Sequence, residues 1–191
     1  MIPSSRNDAI RTAREILQSK PIYLDTETTG IGPMDSIIEI AIIDYDGSVL
    51  LDSLVKPVGQ ISRDAFQVHG ISNEMVKDAP SWLSVWEKAK TILANRTVAI
   101  YNAEFDVRMM RQTHTVNWIS WESPPGTQYV CLMKLYAQYY GVRNPKYGSF
   151  KWHSLDTAGR QCGINLPNTH RAKDDTLLAR ALLIYMAQAD N

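Results

Sequence analysis

YLDTETTG, Tyr23 to Gly30, is the stretch that decides the fold of this chain. With Pro21 and Ile22 before it, the run Pro21-Ile22-Tyr23-Leu24-Asp25 opens a strand. Side chains alternate across a strand, so Asp25 and Glu27 point to the same face. Two carboxylates side by side, with Ile22 and Leu24 on the buried face, repel unless positive charge sits between them. Mg²⁺ or Mn²⁺ is the economical answer, because hard cations prefer carboxylate oxygens. Gly30 and Gly32 then permit a tight turn and close approach of the backbone to a ligand. Taken alone the triplet also reads as a solvated strand end carrying acids.

Outward from this strand the pattern is that of an α/β domain. Residues 7–18 show helical apolar spacing through Ile10, Ala13 and Ile16, with Asn7 or Asp8 as N-cap. Ile37–Tyr45 reads as a second strand, Asp46-Gly47 as a hairpin turn, and a third strand runs through Val55. Helix 81–95 follows, then a short buried strand Thr97–Tyr101, helix Ala103–Gln112 and a strand near Gln128–Val130. Helices are predicted around Leu132–Tyr140, over 154–162 and over 171–188. A three-strand meander followed by strands alternating with helices predicts a mixed sheet. Glu39, inside IIEIAII, is expected either to support the site near the sheet edge or to stand exposed on an edge strand.

Composition narrows the class. The 191 residues suit one domain, and 45% apolar with 21% charged is ordinary for a soluble globular protein. No apolar run is long enough for a membrane. MIPSSRNDAI lacks the basic and apolar regions of a signal peptide. Cys131 and Cys162 make no disulfide framework, so a reduced, cytoplasmic setting is the default. Lys plus Arg and Asp plus Glu both number 20, which argues against a general polyanion binder. The balance conceals a basic stretch, Lys134 to Lys173, with Asp156 as its one acid. It reads as a solvated surface or as a local phosphate-tracking patch.

Two more segments carry acids. In YNAEFDVRMM, Tyr101 to Met110, Asn102 is a plausible N-cap and Asp106 falls in the first helical turn, where the helix dipole already favours a carboxylate. In HRAKDD, His170 to Asp175, two aspartates compete. Asp175 shares a helix face with Ala172 and Ala179, whose small size suits packing on a sheet; Asp174 shares one with Arg171 and Leu178. That pattern favours Asp175 only weakly. Arg171 and Lys173 should project away from it. His170 is of the residue type that exchanges a proton near neutral pH, or is simply a cap.

Together these segments resemble the DnaQ-like 3′→5′ exonucleases of the DEDDh type. That family joins an Asp-x-Glu strand, an Asn-x-x-Phe-Asp helix start and a closing His-x-Ala-x-x-Asp. This chain matches with Asp25 and Glu27, with Asn102, Phe105 and Asp106, and with His170, Ala172 and Asp175. VKPVGQISRDAFQVHGIS, Val55 to Ser72, resembles a further family segment, and the likeness runs from about Tyr23 to Ala179. The resemblance selects Asp175 over Asp174. It implies a ribonuclease H-like fold over residues 20–191, preceded by a helical extension over 1–19. It implies two divalent ions, Mg²⁺ or Mn²⁺, held by Asp25, Glu27, Asp106 and Asp175, with His170 taking the proton of the attacking water.

By the same resemblance the terminal nucleotide meets Ile31, Val68, His69 and Phe105, while Thr28 and Asn102 hold its sugar. Phe105 also reads as core and His69 as a turn residue. From Tyr136 to Trp152, aromatics (Tyr139, Tyr140, Tyr147, Phe150, Trp152) interleave with Arg143, Lys146 and Lys151. That mixture suits a single strand, though about half of these aromatics are expected in packing. The expected activity is removal of nucleotides from single-stranded ends, DNA before RNA. An exoribonuclease is the alternative enzyme. A proofreading-type module whose main partner is a polymerase is the alternative of another class.

Overall fold

The computed structural model describes residues 5–146, 148–166 and 169–190. A five-stranded sheet of order β3-β2-β1-β4-β5 forms its centre. Its strands are β1 (Ile22–Thr28), β2 (Ile37–Ile43), β3 (Val49–Leu54), β4 (Thr97–Ile100) and β5 (Gln128–Cys131). The first three form an antiparallel meander; β4 joins β1 in parallel and β5 joins β4 in parallel. Helices α1 (Arg6–Gln18), α2 (Arg63–His69), α3 (Asn73–Val76), α4 (Trp82–Leu93), α5 (Ala103–Val116), α6 (Leu132–Tyr140), α7 (Leu155–Gln161) and α8 (Ala172–Gln188) surround it.

Local chemistry sets many of the boundaries. The hydroxyls of Ser5, Ser62, Ser72, Ser81 and Ser154 accept a backbone N–H from the first turns of α1, α2, α3, α4 and α7. Helix α1 is thus capped by Ser5 rather than by the expected Asn7 or Asp8. Helices α2 and α3 were not anticipated: at seven and four residues, neither is long enough for an apolar stripe to repeat.

Both sheet faces are buried. Tyr23, Ile43 and Ala99 pack with α1, α6 and α8, while Ile22, Leu24, Ile40, Ile42, Val98 and Ile100 pack with α4 and α5. This explains why β2 reads as IIEIAII, apolar at every position but Glu39. Trp82, Val85, Trp86, Ala89 and Leu93 form the buried stripe of α4. Helix α1 is tied to the core by Arg6, which donates to the Tyr139 hydroxyl at 2.9 Å, and by Arg14, which donates to the Ala187 and Ala189 carbonyls, each at 2.9 Å. Among the described residues, no helix is long and apolar enough to cross a membrane.

Candidate active site

Strand alternation puts Tyr23, Asp25 and Glu27 on the face covered by α8, and the first turn of α8 brings in Asp175. Carboxylate oxygens of Asp25, Glu27 and Asp175 lie within 4.8 Å of one another. Helix α5 leaves the carboxyl end of β4 and carries Asp106 in its first turn. Thr26, on the opposite face of β1, donates its hydroxyl to Asp106 Oδ1 at 2.7 Å. Asp25, Glu27, Asp106, His170 and Asp175 line one cavity of about 350 Å³. It sits at the carboxyl ends of β1 and β4, where open α/β sheets bind their ligands.

The two competing aspartates part company here. Asp175 turns into the cavity, and its Oδ1 is buried without a hydrogen-bond partner. Asp174 accepts a hydrogen bond from the Thr169 hydroxyl at 2.6 Å instead. His170 Nδ1 lies 4.0 Å from Asp175 Oδ2, and its ring is half-exposed. Its φ of 52° is left-handed, an uncommon conformation for a residue with a side chain.

Burial raises all four acids, and neighbouring like charges add to the rise of Asp25, Glu27 and Asp175. Burial, then the charges of Asp106, Glu27, Asp175 and Glu39, hold Asp25 well above the ordinary carboxylate range. Burial, then Asp175, pushes Glu27 up to about 9. Burial raises Asp106 to about 7 against the hydrogen bond from Thr26, and Asp175 to about 6 against the opposing influence of His170. Arg171 opposes the rise of Glu27 without overcoming it. Hard oxygen donors, a buried unpartnered Oδ1 and mutual repulsion fit divalent cations.

Glu39 does support this site, but not from an edge. Strand β2 lies between β1 and β3, and Glu39 is 3% exposed, directly across from Glu27. Its oxygens accept from Arg171 Nε at 3.1 Å each, from Arg171 Nη2, and from the Ala172 N–H at 2.9 Å. Arg171, the N-cap residue of α8, is thus engaged by Glu39 rather than by Asp175, and Lys173 Nζ lies 3.8 Å from Asp52. The clamp escaped the sequence because its partners are 132 positions apart.

The glycine loop packs closely on the chain itself, and Gly30 and Gly32 also line a cavity. A Cβ on Gly30 would lie 2.6 Å from Asp35 Oδ2. Asp35 accepts from the Thr29 hydroxyl and from the Gly32 N–H, each at 2.6 Å, and so ties the loop shut. Ile31 projects from its tip, 80% exposed.

A second cavity, of about 480 Å³, shares Thr26, Glu27 and Phe105 with the first and is lined by Thr28, Ile31, Val68 and His69. His69 Nδ1 accepts the Ile71 N–H at 3.0 Å, so its protonated Nε2 donates to the Thr28 carbonyl at 3.2 Å. Burial lowers its pKa, which favours the neutral ring. Phe105 lies at the border of the two cavities, with the Arg108 guanidinium 5.2 Å from its ring centroid. Asn102 lines the carboxylate cavity but makes no side-chain capping bond, so the predicted N-cap contact is absent.

A mixed sheet with four acids gathered at the carboxyl ends of its central strands is the architecture of a ribonuclease H-like nuclease. The chain belongs to the exonuclease family whose RNase T profile matches residues 22–183, and it is of the DnaQ-like, DEDDh type. Exonuclease CP81 of Escherichia phage 186, itself uncharacterized, is 33% identical over 183 residues, 92% of each chain. The PolC-type DNA polymerase III of Thermotoga maritima is 31% identical over 172 residues, 87% of this chain but 12% of that polymerase. Exonuclease X, solved in complex with 5′-overhanging duplex DNA, matches with a TM-score of 0.64 and 26% identity, over 86% of this chain and 89% of its own.

Proposed function

We propose that this chain is a 3′→5′ exonuclease that releases nucleoside monophosphates from single-stranded DNA ends, with Asp25, Glu27, Asp106 and Asp175 holding two divalent ions, Mg²⁺ or Mn²⁺. The observation that carries this is the convergence of three carboxylates within 4.8 Å, with Asp175 Oδ1 buried and unpartnered. When bound, such ions supply an ionised water and steady the charge on a phosphate and a leaving oxygen. The chain's own residues do the rest. Asp25 and Glu27 on β1, Asp106 on α5 and Asp175 on α8 place their oxygens from packed elements, so little is lost in ordering them. His170, open to the cavity beside Asp175, takes the proton of the attacking water.

The adjoining cavity receives the terminal nucleotide. Ile31, Val68 and Phe105 offer its base and sugar an apolar surface. The Thr28 backbone, fixed by His69, and the Asn102 side chain hold the sugar. The DNA held by Exonuclease X supports DNA over RNA, and the PolC-type relative supports a polymerase as partner. Residues 20–191 form the exonuclease domain, with 1–19 a helical extension. Both cysteines are free, in keeping with a cytoplasmic setting.

A gel of 5′-labelled single-stranded DNA with Mg²⁺ tests this. The expected result is a descending ladder, lost with a chelator and in Asp25→Ala. A ladder from RNA alone overturns the DNA assignment, and intact bands from both overturn the activity.

A further inference from the structure

The basic stretch around residue 146 folds into a hairpin beside the carboxylate cavity. Asn144 N–H donates to the Ser149 carbonyl and Lys151 N–H to the Val142 carbonyl, each at 2.8 Å. Residues 140–155 contain Arg143, Lys146 and Lys151 and no acid. The structure sorts the aromatics of this region into two groups. Tyr136 and Tyr139 are buried in the core, and Tyr140 stacks against Tyr136. Phe150 lies beneath the Arg143 guanidinium, 4.8 Å from its ring centroid, and the Trp152 indole is 57% exposed. Tyr147 lies outside the described residues.

Arg143, Phe150 and Trp152 enclose a cavity of about 400 Å³ against Lys134 of α6. Glu104, the acid at its margin, is already paired with Lys134. The chain itself leads from this cavity to the acids. Trp152 lines it, and Ser154 lines the carboxylate cavity. Two residues span at most roughly 7 Å of chain. Tyr101, also in the carboxylate cavity, anchors this bridge by donating its hydroxyl to the His153 carbonyl at 2.9 Å. An exposed indole, a second aromatic under a guanidinium, and cations without a local acid are what a single strand requires. Bases stack on the rings and phosphates face the cations. An apolar partner has no use for that charge.

We propose that this pocket receives single-stranded nucleic acid just upstream of the terminal nucleotide, with a base stacked on Trp152 and a phosphate facing Arg143. The assignment rests on the carboxylate cavity being the place of hydrolysis. Removal of nucleotides then depends on strand length, because a lone nucleotide cannot reach Trp152.

The test compares two substrates in the full chain: the p-nitrophenyl ester of thymidine 5′-monophosphate and an oligo(dT) of about twelve nucleotides. Trp152→Ala is expected to lower kcat/KM for the oligomer about tenfold more than for the ester, the loss lying in KM. Trp118→Ala removes an indole that is 96% exposed at the end of α5 and serves as the control, with no such difference. Arg143→Ala is expected to reduce the slope of log Kd for oligo(dT) against log salt by about 0.7. Equal losses on both substrates, or no loss on either, overturn the proposal alone. Failure of the wild type to hydrolyse either substrate with Mg²⁺ or Mn²⁺ overturns the reading of the acids, and this proposal with it.

Discussion

Asp174 and Asp175 are chain neighbours of the same chemistry, separated by about 100° of rotation around α8. That rotation gives Asp174 a hydroxyl partner on the surface and leaves Asp175 Oδ1 buried and bare. Asp175→Asn is therefore expected to abolish hydrolysis, and Asp174→Asn to preserve most of it. The labelled-strand gel reads both, and the reverse pattern means that the wrong oxygen has been assigned. His170→Ala is expected to lower kcat by roughly 10²–10⁴-fold, the range for loss of a general base. A loss below that range in single-turnover kinetics would make His170 a positioning residue. The aspartate pair was only half legible in the sequence, since Ala172 and Ala179 hinted at the inward face but Arg171 and Leu178 offered the other aspartate a plausible face of its own.

At the scale of elements, one interaction joins the sheet to the helix that completes the site. Glu39 on β2 receives Arg171 with both oxygens and the first N–H of α8 besides. Charge-assisted bonds in a buried setting are strong, and an acceptor there also suits the positive end of the helix dipole. Glu39→Gln keeps the shape but weakens these bonds, at an expected cost of about 1–3 kcal/mol in urea unfolding. It is also expected to lower kcat well below that of Asp174→Asn, because the start of α8 carries His170 and Asp175. An unchanged midpoint with full activity would show that the clamp holds nothing in place. Position 39 stood out in IIEIAII as an acid among apolar residues, yet the element it grips could not be named. Sequence periodicity describes one element at a time.

The whole molecule carries the electrostatic consequence. Burial holds Glu27 at about 9, Asp106 at about 7 and Asp175 at about 6, with repulsion from neighbouring acids adding to the rise of Glu27 and Asp175. These values exceed those of the unfolded chain, so across that window the folded state binds more protons. Stability without metal is therefore expected to fall as pH rises from about 5 to about 9. Divalent ions that bind the folded state in place of those protons should stabilise it, and more so at higher pH. Thermal melts in chelator and in Mg²⁺, at about pH 6 and about pH 8, check this linkage. Glu27→Gln is expected to flatten the metal-free slope. A Tm that ignores Mg²⁺ at both pH values would count against cation binding by the acids.

The sequence by itself determined the class of fold and the identity of the acids' elements. Period-2 alternation in YLDTETTG placed Asp25 and Glu27 on one face, and the apolar run around Glu39 in IIEIAII marked a strand, though not its place inside the sheet. These are local properties, set by backbone geometry within a few residues. Tertiary structure alone decided which groups meet. It brought Asp175 to Asp25 across 150 positions, set Glu39 against Arg171, turned Asp35 into the clasp of the Gly30 loop, and separated buried Tyr139 from exposed Trp152. The reason is physical: such contacts arise where α5 and α8 dock on the sheet, and docking depends on the shape of both apolar faces together.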